Sequence, residues 1–392
     1  MIFYSTPDTL ERVQYSNREL IFLVGGFTGY LNFGDVIQLQ GAIKLHRERN
    51  PECLLLPLIH PSAFGNGVKQ TVINDLFKNQ DWIFYLKKGE EIEYKNKSPV
   101  NQMLELYLED DRREILVHFY GSGRLNQYWG ESTLELLDTI LEGIPFDGYL
   151  ISGQQVSKPF IDLFVEHIKR WNPDLIGCRD RDSVDYLSGL GLNSIYSGDD
   201  ALDILAELST KNKPKNKDNK GQVGINFRRA IFTGNQENSK RDPSIQKNTI
   251  QSVLENMNVI HSPLYLETFG CTQYQKLEIE DFPYLSRHFP DHERINLVDD
   301  LLIKDTQKAY LKLHNLSCAV VMSYHLALYL FFLKVPAYLL AYNDYYQQKQ
   351  RSLGQLRKFS GELFEVDKII SRQDNWLEEN IELRQEWLSS LW

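Results

Sequence analysis

The stretch Ser317 to Arg351, SCAVVMSYHLALYLFFLKVPAYLLAYNDYYQQKQR, decides how the chain is read. Cys318 to Met322 is a short β-branched apolar run, the pattern of a strand covered on both faces. Ser323 is a helix-capping residue type, and Tyr324 to Leu333 is apolar nearly all round, so the helix it opens is expected to be buried too. Pro336 ends that helix, and Ala337 to Tyr342 reads as the next parallel strand. In an open α/β sheet, ligands sit at the carboxyl ends of strands, where helix N-termini present free N–H groups. His325 falls at that spot, the one histidine between Asn315 and Lys334. From position alone it fits a satisfied core histidine as well as a catalytic one. A membrane span needs about 20 apolar residues, and Lys334 with Pro336 cuts this run to near half of that, so the buried-helix reading is preferred.

The rest of the chain agrees with a globular protein. It has 392 residues, 42% hydrophobic and 12% aromatic, enough for two domains with full cores. A formal net charge of −10 argues against binding nucleic acid through its backbone charge. The four cysteines, Cys53, Cys178, Cys271 and Cys318, form no CxxC pair, which suits a reducing compartment and excludes a cysteine-built zinc site. His261, His288 and His292 have no ligand spacing either, so no metal is expected. The first twenty residues lack the positive start and apolar core of a secretory leader, and a cytoplasmic location is expected.

Working outward from the quoted stretch, strands repeatedly run into glycine. Leu20 to Val24 leads into Gly25-Gly26 and then Asn32-Phe33-Gly34-Asp35, with a helix expected from Val36 to about Glu48 and Asp35 as its cap. This turn is not GxGxxG, so a dinucleotide is not expected. Cys53 to Ile59, Trp82 to Leu86, Ile115 to Tyr120 and Tyr149 to Ser152 are further strands, the last leading into Gly153-Gln154-Gln155. His118, inside its strand, is read as structural. Leu175 to Cys178 precedes Arg179-Asp180-Arg181-Asp182-Ser183 and a helix from Val184 to Leu190. Arg179 there suits either a bidentate anion site or a surface salt-bridge cluster with Asp180 and Asp182. Thr210 to Lys220, TKNKPKNKDNK, has no apolar residue and reads as a linker.

These features place a domain at 1–209, a linker at 210–220, a second domain at 221–372, and a helix at 373–392 packing back on the first. In the second domain, Val223 to Phe227 is a strand ending at Arg228-Arg229, where Arg228 is a second anion candidate and Arg229, on the opposite face, the alternative. Gly234 to Asp242 reads as a loop, Thr249 to Met257 and Gln307 to Leu316 as helices, and residues 343–351 as a loop carrying Tyr345, Tyr346 and Lys349.

Several of these segments resemble the polysaccharide pyruvyl transferase family. The carriers are G-x-x-N-x-G-D at Gly29 to Asp35, the Gly153-Gln154 dipeptide, R-D-x-x-S at Arg179 to Ser183, and Gly198-Asp199-Asp200-Ala201. At the C-terminal end they are S-Y-H-L-A-L from Ser323, the Val335-Pro336 strand start, and Tyr346-x-x-Lys349. The resemblance implies two Rossmann-like doubly wound α/β domains facing a cleft, a GT-B-like fold with the acceptor on the first domain and the donor on the second. It implies transfer of pyruvate from phosphoenolpyruvate, a co-substrate and not a cofactor, to a saccharide acceptor, free, lipid-linked or nucleotide-linked. His325 and Arg179 are then the catalytic pair. Asn32, Gly34, Asp35, Gln154, Ser183, Arg228, Ser323, Tyr324 and Lys349 line the substrate site. No nucleic acid and at most peripheral membrane association are expected. A nucleotide-sugar glycosyltransferase and a non-catalytic binding subunit of glycan assembly stay open beside it.

Overall fold

The computed structural model describes residues 2–5, 11–12, 19–60, 69–78, 80–86, 98–99, 114–213, 222–226, 265–270, 294–341, 343–355 and 366–391. The chain divides into two compact units, Met1–Leu31 with Asp35–Leu202 and Leu383–Trp392, and Asn32–Gly34 with Asp203–Glu382. The division falls ahead of the polar stretch 210–220, of which residues 214–220 lie outside the described residues.

The first half of the chain forms β1 (Ile2–Ser5), β2 (Leu20–Val24), α1 (Phe33–Arg49), β3 (Leu54–Ile59), α2 (Gln70–Leu76), β4 (Ile83–Leu86) and β5 (Ser98–Pro99). It continues through β6 (Ile115–Phe119), β7 (Ser122–Leu125), α3 (Gly130–Gly143), β8 (Gly148–Val156), α4 (Ile161–Trp171), β9 (Leu175–Cys178), α5 (Arg181–Ser188) and β10 (Ile195–Tyr196). The sheet runs β10-β9-β8-β6-β2-β3-β4, parallel throughout, with β1 and β5 added antiparallel beyond β4. Every residue of β2 and β3 is buried, as a parallel sheet covered on both faces requires. From β2 the chain winds to β3 and β4, then returns to β6 and winds the other way, so the order reverses between β2 and β6.

The second unit uses the same winding. It comprises most of α6 (Leu202–Thr210), then β11 (Gln222–Asn226), β12 (Tyr265–Gly270), β13 (Arg294–Asn296), a π-helical turn (Leu297–Ile303), α7 (Gln307–His314), β14 (Cys318–Val321), α8 (Tyr324–Phe332), β15 (Ala337–Leu339), α9 (Asp344–Ser352) and the first part of α10 (Val366–Ser390). Its all-parallel order, β13-β12-β11-β14-β15, reverses between β11 and β14. The last residues of α10, from Leu383, count with the first unit. Among the described residues no helix is long and apolar enough to cross a membrane.

Several expected bounds are corrected. Helix α1 starts at Phe33 and not Val36, because Asn32 Oδ1 caps it by accepting from Gly34 N at 3.0 Å; Asp35 falls inside the first turn. Helix α5 starts at Arg181, capped by Asp180, which accepts from Ser183 N at 2.9 Å. Residues 343–351 are not a loop: Asn343 caps α9 by accepting from Tyr346 N at 3.0 Å. The tail helix begins at Val366, ahead of the expected start at residue 373. Helix α4 was not foreseen, nor were β12 and β13 in the pattern-poor region 261–300. The expected helix at 249–257, the loop at 234–242 and Cys271 lie outside the described residues; Cys53, Cys178 and Cys318 are buried free thiols.

A buried polar chain ties the first sheet together. His46 and His118 are joined Nε2 to Nδ1 at 2.8 Å, His118 Nε2 meets Ser152 Oγ at 2.7 Å, and Ser152 donates to Asp200 at 2.7 Å. Asp200 also accepts from Gly121 N at 2.6 Å and from Arg384 Nη1 at 3.2 Å. Because Ser152 gives its proton to the carboxylate, its oxygen must accept from His118 Nε2–H, and His118 Nδ1 from His46 Nε2–H. The structural reading of His118 thus gains a mechanism. Burial, helped by nearby Arg49, depresses His46 from 6.5 to about 3, and burial depresses His118 well below its ordinary value. Burial raises the Asp200 carboxyl against the pull of Arg384.

Two outcomes are expected. Depressed histidines leave stability intact above about pH 6.5, and it is lost as pH falls from there toward about 3. The thermal midpoint should follow that course and flatten in His46→Gln, whose amide keeps the donor to His118. Separately, Arg384→Met strands a buried carboxyl and should cost ~3–5 kcal/mol by urea unfolding. A loss under ~1 kcal/mol would mean Asp200 is already neutral in the fold.

Candidate active site

His325 stands where the second sheet reverses. Asn226 closes β11 and binds the end of β14 twice: its O accepts from Met322 N at 2.9 Å and its Oδ1 from Ser323 N at 2.9 Å. Ser323 then caps α8 by accepting from Leu326 N at 3.4 Å. Tyr324 is buried and meets the imidazole edge-on, with ring centroids 5.2 Å apart. His325 itself is only part buried, while its neighbours Tyr324 and Leu326–Phe331 are buried.

Across the imidazole lies the first turn of α1, whose residues Asn32–Gly34 count with this same unit. A Cβ built on Gly34 would sit 2.0 Å from His325 Nδ1, so only glycine lets the helix come this close. The N-termini of α1 and α8 therefore both border one imidazole, and each carries the positive end of a helix dipole. On α9, Lys349 Nζ lies 4.1 Å from the ring centroid of Tyr345 and 5.2 Å from that of Tyr346, which hold the ammonium by cation–π attraction.

The first unit holds the other group. Arg179 is 1% exposed, so the surface-cluster alternative is excluded. Its Nη1 pairs with Asp199 at 3.2 Å and its Nη2 donates to Gln155 Oε1, while Asp180 caps α5. Asp199 is fixed in turn by Gln38 Nε2, 3.1 Å from both its oxygens, and by Ala201 N at 2.9 Å. Gln154 and Ser183 have work inside the fold. Gln154 Nε2 donates to Tyr120 O at 2.8 Å, and Ser183 Oγ accepts from Val156 N at 2.9 Å and donates to Asp180 at 2.9 Å.

The predicted residues thus gather in two places. Asn32, Gly34, Ser323, Tyr324 and His325 meet in the second unit, with Lys349 on α9 of the same unit. Arg179, Gln154 and Ser183 share the β8–β9 end of the first unit. Asp35 lies part buried in α1, in the first unit, and Arg228 and Arg229 lie outside the described residues. Gln38, Gln155 and Asp199 were not singled out from sequence. Asp199 stands within a quoted motif, but nothing in the pattern tells a pairing carboxylate from a capping one. Among the described residues no group of three His, Cys, Asp or Glu could hold a metal.

Gly34→Ala tests the close approach. Elsewhere in a helix this change gains roughly 0.5–1 kcal/mol. Here it should instead lower the thermal midpoint and shift the His325 imidazole NMR signals. A raised midpoint with unmoved signals would contradict the packing.

Comparisons with known proteins bear on the fold and the family. A search of curated proteins found no match. Among solved structures, a UDP-N-acetylglucosamine 2-epimerase aligns at a TM-score of 0.50 and 11% identity over 95% of each chain, a likeness of fold in the GT-B class. The Neisseria meningitidis UDP-GlcNAc 2-epimerase, solved with UDP-GlcNAc, aligns at 0.47 and 12% over 94% of each. The family model for polysaccharide pyruvyl transferase matches residues 32–344, a span that opens at the Asn32 cap and takes in Arg179 and His325. The chain belongs to the polysaccharide pyruvyl transferase family.

Proposed function

We propose that this transferase-family protein moves pyruvate from phosphoenolpyruvate to two hydroxyls of one sugar, forming a cyclic ketal during exo- or surface-polysaccharide synthesis. The observation that carries the reading is the part-exposed His325, bordered by two helix N-termini at a topological switch point. That setting suits an anionic substrate beside a proton-transferring group.

The chemistry makes definite demands. A proton goes to the methylene carbon of the donor, leaving a cationic carbon. One sugar hydroxyl adds there and loses its proton. Phosphate then departs, and the second hydroxyl closes the ketal and loses its own proton. Histidine suits these transfers because its charge changes near working pH. In this reading His325 handles the proton, the Arg179 guanidinium meets an anionic group of the donor, and Lys349 meets its phosphate. Arginine suits the first anion because its charge is fixed and its fork matches two oxygens. The pairing of His325 with Arg179 in one reaction is part of the proposal. So is action in the cytoplasm, on a free or carrier-linked acceptor.

The test is to incubate the protein with phosphoenolpyruvate and a panel of glycans, following phosphate release and mass gain on the sugar. Both should appear together. His325→Ala should lower turnover about 10²–10⁴-fold. Binding of a UDP- or GDP-sugar without phosphoenolpyruvate binding would replace this reading with a glycosyltransferase. Binding of neither would leave a non-catalytic role in glycan assembly.

A further inference from the structure

Gln155 follows Gln154 on β8 and is 1% exposed. Its Oε1 accepts from Arg179 Nη2. Turning the carboxamide over would press an NH₂ against a guanidinium, so charge fixes which end is which. Nε2 is left as a buried donor with no acceptor among the described residues. Gln38 shows the opposite surplus. Its Nε2 faces the Asp199 carboxylate, so the leftover buried atom is an acceptor, Oε1. The ion pair Arg179–Asp199 therefore carries a spare donor on its cationic side and a spare acceptor on its anionic side. An oxygen with negative charge is matched only at the Gln155 end. Native proteins rarely leave such a donor unmet, which makes it a pointer to something that binds there.

We propose that Gln155 Nε2 and the Arg179 guanidinium together hold one oxyanion, a carboxylate or phosphate group of the ligand. The assignment rests on the reading of Arg179 as an anion contact given above, and it adds a neutral, directional donor to that contact. Arginine alone ranks anions by charge; the amide adds a required oxygen position. With both groups buried, entry needs local opening, so association slower than for an open site is expected.

Calorimetric titration of the full chain decides the matter. The probes are phosphoenolpyruvate, pyruvate and inorganic phosphate, each against wild type, Gln155→Glu and Gln155→Met. Glutamate keeps an acceptor for Arg179 but replaces the donor with a second oxygen; methionine keeps the length and removes both. Phosphoenolpyruvate affinity should fall about tenfold or more in Gln155→Glu, while the thermal midpoint does not fall. The pyruvate and phosphate arms tell which group sits there. If glutamate unfolds the protein, the methionine variant decides. Equal phosphoenolpyruvate binding by all three proteins overturns the subsite and leaves the pyruvyl-donor reading standing; a buried water then serves the nitrogen. Gln155-dependent binding of phosphate or pyruvate without phosphoenolpyruvate binding keeps the subsite and removes that reading. Binding of no probe overturns both.

Discussion

Two neighbouring carboxylates, Asp199 and Asp200, are both buried in the first unit, and its polar architecture follows from the need to keep them company. An ion taken out of water must meet a partner of opposite charge and fill its lone pairs, or the fold loses several kcal/mol. Asp199 meets Arg179 at the end of β9 and Gln38 of α1; Asp200 meets Arg384 of α10, Ser152 of β8 and the amide of Gly121. One short peptide thus draws in side chains from β8, β9, α1 and α10. Arg179 is held by a structural demand, which fixes its guanidinium.

The second unit solves a different problem. Its imidazole lies against a helix terminus, and the close approach is made by removing a side chain at Gly34. The apolar surroundings of α8 are buried on nearly every face, so the helix cannot rotate to relieve crowding. Precision at His325 comes from packing, and at Arg179 from electrostatics.

These two origins explain what could be read in the sequence. The run around β14 and α8 was legible because a fully buried strand and helix leave a continuous apolar signature, and Ser323 with Pro336 punctuate it. The glycines after β2 and β6 marked strand ends, but Gly153 did not: β8 runs through it to Val156, four residues past the expected end at Ser152. Helix starts were read late at α1 and α5 because Asn32 and Asp180 cap with side chains that look equally at home in a turn. The stretch 343–351 passed for a loop because its polar composition hid a capped helix whose two tyrosines turn inward. The partners of Arg179 were out of reach: Asp199 lies beyond a helix and a strand, Gln38 far upstream, and only the sheet order brings them together. Neither Gln155 nor Gln154 announces which of the two faces the guanidinium; the alternation along β8 decides it.

The histidine chain of the first sheet has one more property. Every hydrogen bond from His46 through His118 and Ser152 to Asp200 points the same way, so the row has a sense, like a line of dominoes leaning toward one end. No link can reverse unless all of them do. The two ring nitrogens that meet, and the one beside Ser152, are already engaged, which leaves His46 Nδ1 as the one open ring nitrogen in the row. Among the imidazoles, acid therefore has one doorway, at the α1 end farthest from the carboxylate.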